Sequence, residues 1–164
     1  MMDDPGARSF AVEKYREFVA TVEVRWLLWL DAVRSLSEAE ISTPGTCGEW
    51  SVKDLIAHVA VWDSVAVEKI RDIVNGTIGE LSSDSLETSD EFNQRNAAIH
   101  SDTPLDVLTA AMLAAHQTLI EKLCQTSSQS NETLERIEWA AAEDTSKHYA
   151  EHESQIRQRF AGKS

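Results

Sequence analysis

Proline and glycine are scarce in this chain, at 3 and 6 of 164 residues. That scarcity excludes collagen-like and turn-dense β architectures and leaves room for long uninterrupted helices. Strand signals are absent too, because nothing alternates with period two for long. Cysteine is limited to Cys47 and Cys124, far apart and in no CxxC pair, so a disulfide framework is excluded and reduced thiols are expected. Basic residues are outnumbered, 15 against 28 acidic, for a formal net charge of −13. Such a chain repels nucleic acid backbones and anionic membranes, which removes both as partners. No apolar run approaches a membrane span, the longest lying around Trp26 to Leu30. The opening MMDDPGARSF is acidic and lacks the apolar stretch of a secretory signal. The expectation is a soluble cytoplasmic protein, folded as a single domain over residues 1–164 with residues 1–7 as a loose tail.

What is present is helical periodicity. Tyr15, Phe18, Val19, Val22, Trp26, Trp29, Leu30, Val33 and Leu36 recur at three- and four-residue steps, predicting a helix from about Ser9 to Ser35. Its stripe is wide and includes two tryptophans, which would suit a homodimer face. Pro44, Gly45 and Gly48 then mark a loop. Ser51 with Asp54 has the spacing of a capping box, and a second helix runs to about Val74, stopped by Asn75-Gly76. Thr77 to Ser89 is polar and reads as a connection, with Asp84, Glu87, Asp90 and Glu91 as solvated acids. A short extra helix is expected over Asp90 to Ile99. Thr103-Pro104 reads as an N-cap followed by a first-position proline, opening a third long helix to about Gln125. A fourth is most secure from Ile137 to Phe160. Four long helices joined by loops of varied length describe an all-α four-helix bundle.

Three histidines stand out. His148 and His152 are four residues apart in HYAEH, so on a helix their rings lie one turn apart on one face. His58 lies at the edge of the apolar face of the second long helix. Two inward positions on different helices can meet in a bundle core and hold a metal. Three imidazoles suit zinc, nickel, iron or copper and leave a coordination position open. Asp144, Glu143, Thr145 and Glu151 are near enough in sequence to orient the rings. The spacing leaves a second reading open, since HxxxH pairs arise by chance and core histidines bonded to carbonyls are common. His116 reads as a satisfied core residue and less readily as a fourth ligand. His100 reads as exposed, Cys47 as a loop thiol near the metal mouth, and Cys124 as a small core residue. Trp50 and Trp62 could line a pocket or simply pack.

The run from Pro44 through Trp50, Leu55 and His58 to Trp62 resembles the second-helix signature of the DinB-like four-helix bundle superfamily. The stretch Glu143 to His152, with Gln155-Ile156 after it, resembles that superfamily's last-helix signature. The resemblance implies a divalent metal, zinc or nickel, held by His58, His148 and His152. One departure is Ser146, where an aromatic residue is common in the superfamily.

Members with known activity include thiol-dependent transferases and a mycothiol-dependent isomerase. The resemblance therefore implies metal-dependent activity of a transferase-like or hydrolase-like kind on a small-molecule substrate, with a low-molecular-weight thiol as second cofactor. It also implies pairing into homodimers. The alternative is a non-catalytic metal-binding or stress-associated bundle, and a third reading is a scaffold whose histidines never meet metal.

Overall fold

The computed structural model describes residues 5–77 and 88–162. Helix α1 spans Pro5–Arg34, and α2 is a single turn at Glu38–Ile41. Helix α3 spans Val52–Asn75, α4 Ser89–His100 and α5 Leu105–Gln125. Helix α6, Asn131–Ala142, runs through a π-helical turn at Glu143–Lys147 into α7, His148–Arg159. Taking α6 to α7 as one rod, four long helices make the bundle, with α4 as the short extra helix before the third. The described residues hold no strand beyond an isolated bridge between Cys47 and Trp50. None of their helices is long and apolar enough to cross a membrane.

Helices α2, α3, α4 and α6 begin where the sequence supplies a side-chain cap. Ser51 Oγ accepts from the Asp54 amide at 3.3 Å while the Asp54 carboxylate accepts from the Ser51 amide at 2.8 Å, closing the expected box at the start of α3. The same reciprocal arrangement opens α4, between Thr88 and Glu91. Gly76 ends α3 with φ at 72°, the left-handed conformation a side chain disfavours. Proline sits one place earlier than expected at α5: Pro104 is the N-cap itself, extended at φ −58° and ψ 145°, and Thr103 precedes it.

The core is one apolar cluster fed by all four rods. Helix α3 is central, packing on α5, α6 and α4, while α1 packs on α6 and α7. Trp29, Leu55, Ile56, Ile70, Met112, Leu119 and Ile137 are fully enclosed. Burial of each such side chain contributes about 1.5–3 kcal/mol. Trp26 and Trp29, expected to suit a dimer face, lie inside this cluster and leave α1 exposing Val24 and Leu27 instead. The reason is phase: their positions are continuous with Val22 and Val33, which face α6 and α7.

Two further expectations are corrected, and one lies partly outside the described residues. Residues 5–7, expected in a loose tail, form the first turn of α1; residues 1–4 lie outside the described residues. Asp84 and Glu87 also lie outside them, whereas Asp90 and Glu91 open α4. Cys124 is exposed, because its neighbour Leu123 takes the inward position at the end of α5.

Candidate metal centre

His58 sits two turns into α3, and the capped start of that helix fixes its height in the bundle. His148 is the first residue of α7 and His152 lies one turn on. The π-helical turn immediately before them sets their phase. From Ala141 to Tyr149 is eight residues, which in a pure α-helix would overshoot two turns by about 80°. The wider turn absorbs that excess, so Ala141, Thr145 and Tyr149 are all buried on one face. Such turns recur at functional sites in helices.

The three rings converge. His148 Nε2 lies 2.8 Å from His58 Nε2 and 2.8 Å from His152 Nε2. His58 and His152 are buried and His148 is half-buried. Burial is the main cause that holds all three neutral: it lowers His58 to about 3 and His148 to about 2, with neighbouring imidazoles adding to the effect, and it lowers His152 as well. A neutral imidazole Nε2 carries either one hydrogen or one lone pair. His148 Nε2 therefore cannot make good hydrogen bonds to both partners. Three lone pairs aimed at one cation satisfy the arrangement. Ligands 2.0–2.1 Å from one ion, at angles of roughly 90–110°, are about 2.9–3.4 Å apart, and the two contacts sit at the lower edge of that range. The side chains are thus positioned to hold a metal ion.

The outer nitrogens differ. His152 Nδ1 donates to Gln155 Oε1 at 2.7 Å, which leaves its Nε2 lone pair facing the other rings. Gln155 in turn donates to Glu151 at 3.3 Å. His148 Nδ1 is buried without a partner; the Asp144 backbone carbonyl raises its proton affinity but lies outside hydrogen-bonding geometry. Of the four residues expected to orient the rings, only Glu151 acts, at one remove through Gln155. The Asp144 carboxylate instead pairs with Lys69 Nζ at 2.6 Å, and Glu143 pairs with Lys147. Thr145 Oγ1 donates to the Ala141 carbonyl at 2.6 Å.

Beneath the triad lies a second polar cluster. Tyr149 donates to Asp63 Oδ1 at 2.5 Å, joining α7 to α3. With that hydrogen committed, the Tyr149 oxygen accepts from His116 Nδ1 at 3.3 Å. His116 also stacks on Trp26, with centroids 3.9 Å apart and planes 9° from parallel. It is a satisfied core residue, and the candidate ligand cluster does not include it. Burial raises both Asp63 and Tyr149, the latter well above its ordinary value. A signal for Asp63 was present: it falls four residues after Val59 and three before Ala66, on the buried face of α3.

The triad opens into a cavity of about 760 Å³. The turn before α3 contributes Cys47, Glu49 and Trp50, α4 contributes Asp90 and Asn93, and α7 contributes Glu151. Gly48, at φ 55°, makes that turn possible, with the Trp50 amide donating to the Cys47 carbonyl at 2.9 Å. Trp50 stands edge-on to His58 with centroids 5.0 Å apart, so it lines the pocket. Trp62 packs instead, donating to Asn93 Oδ1 at 3.0 Å and holding α4 beside the site. Cys47 is half-buried on the wall. His100 is also half-buried, at the end of α4 away from the triad.

The sequence profile of the mycothiol maleylpyruvate isomerase N-terminal domain matches residues 24–150. No curated protein and no solved structure matches the chain.

Proposed function

This chain belongs to the mycothiol maleylpyruvate isomerase N-terminal domain family, a helical family of the DinB-like superfamily, and from that membership we propose a metal-dependent enzyme that uses a low-molecular-weight thiol. His58, His148 and His152 hold a divalent ion, zinc or nickel. The observation that carries the reading is the convergence of three neutral ring nitrogens at the floor of an open cavity. When bound, the ion supplies positive charge that makes a nearby thiol easier to deprotonate.

The protein's own groups do the rest. Gln155 keeps His152 in the tautomer whose lone pair points inward. Burial keeps the three rings uncharged, so no proton must leave them before they act as ligands. Trp50 and Asn93 line the approach, and the cavity of about 760 Å³ has space for a thiol and a small electrophile together. Transfer would then form a sulfur–carbon bond as a leaving group departs from the electrophile's carbon, with the thiol's proton passing to solvent.

The test has two arms. Metal content of the purified protein is expected at one divalent ion per chain. His58→Ala and His148→Ala should each weaken binding by more than about 100-fold, beyond the 10–100-fold usual for an orienting residue. Thiol loss in the presence of a model electrophile should then follow metal content. Metal bound tightly without any thiol turnover would favour the non-catalytic metal-binding bundle, and equal trace metal in wild type and both variants would remove the site altogether.

A further inference from the structure

Among the described residues, the cavity above the histidines is lined by three acids and by no lysine or arginine. Glu49 comes from the turn before α3, Asp90 from the first turn of α4 and Glu151 from α7. The rest of its lining is neutral, including Trp50 and Asn93, and none of it is Lys or Arg. Two cations nearby in sequence are engaged elsewhere: Lys147 pairs with Glu143, and Arg95 lies over the Phe92 ring at 5.2 Å.

We propose that this cavity selects electrophiles carrying no net negative charge, with Glu49, Asp90 and Glu151 as the discriminating side chains. The proposal rests on the thiol-transfer reading of the site. A divalent ion on the histidines offsets two of the three negative charges, and an incoming thiolate adds one back. An anionic substrate therefore enters a region of net negative charge, whereas a neutral or cationic one does not. A carboxylate roughly 6 Å from a substrate charge, in a water-like dielectric, alters occupancy about threefold. In the metal-free protein, which is the form labelled below, three together, reduced by ordinary salt, leave about fivefold discrimination or more.

Iodoacetamide and iodoacetate test this, being of similar size with the same leaving group and differing in charge. Each alkylates a cysteine by forming a sulfur–carbon bond as iodide departs and the thiol proton passes to buffer. Cys47 reports on the cavity, and Cys124, exposed at the end of α5, is the internal reference. Labelling of both is followed by peptide mass in the full-length protein at low salt. The iodoacetamide-to-iodoacetate rate ratio at Cys47, divided by that at Cys124, is expected at about five or more. It should fall toward one in 0.5 M sodium chloride and in the combined variant Glu49→Gln, Asp90→Asn, Glu151→Gln. A double ratio of one or less, a ratio the variant leaves unchanged, or a Cys47 that neither reagent reaches overturns the proposal.

Catalysed loss of a small thiol with the same two reagents separates the two readings. No catalysis with either reagent sinks thiol transfer while the labelling ratio still reports on charge selection. Catalysis that accelerates iodoacetate as much as iodoacetamide sinks charge selection alone.

Discussion

Gln155 is the residue with the most specific role outside the triad. Its side-chain oxygen takes the hydrogen of His152 Nδ1, which leaves the other nitrogen free to coordinate. Replacing it with alanine is expected to lower zinc affinity by about 10–100-fold, measured by competition with a chromogenic chelator. Thermal stability without metal should change little, since Gln155 is only half-buried and bonds to residues of its own helix. Tyr149 predicts the opposite pattern. Tyr149→Phe leaves the buried Asp63 carboxylate without its donor and should destabilise the fold by about 1–3 kcal/mol in urea titration. The sequence pointed to the three histidines through the helical spacing of His148 and His152 and through the resemblance of both stretches to the superfamily's signatures; spacing alone left a chance HxxxH pair open. It did not show Asp63 or Tyr149, because a polar residue on an apolar face reads as an irregularity until its partner on another helix is seen.

Among the elements, α3 depends most on its own beginning. Ser51→Ala removes a cap that the sequence announced by spacing alone, and unfolding free energy should fall by about 1 kcal/mol. Metal affinity is expected to stay within a few-fold, because packing on α5 and α6 still holds His58 in place. The element boundaries were legible where a side chain caps or a glycine turns the backbone, as at Ser51 and Gly76. They were not legible at α2, whose single turn carries too few residues to show a period. Nor was the π-helical turn, because Glu143 to Lys147 contains no breaker and its effect is a phase correction that appears only in the finished rod. That turn is also why the buried positions step from Ala141 to Thr145 to Tyr149 in fours.

For the whole molecule, an ion held by the three histidines would join α3 to the α6–α7 rod, which otherwise meet through packing, the Tyr149–Asp63 bond and the Lys69–Asp144 pair. A metal binding the folded state alone, at 100 times its dissociation constant, adds about 2.7 kcal/mol. For a chain of this length that corresponds to a rise of roughly 5–10 °C in melting temperature. Calorimetry with zinc should show the rise in wild type, EDTA should reverse it, and His58→Ala should abolish it. A shift of equal size in that variant would mean the ion binds elsewhere, on the chain's many acids for instance.

His58 and His148 stand 90 residues apart along the chain. At ordinary translation speeds of about 5–20 residues per second, the first is made roughly 5–18 s before the second. No nascent fragment ending short of α7 owns a complete coordination set. An ion held by all three histidines would therefore enter only after synthesis of that helix.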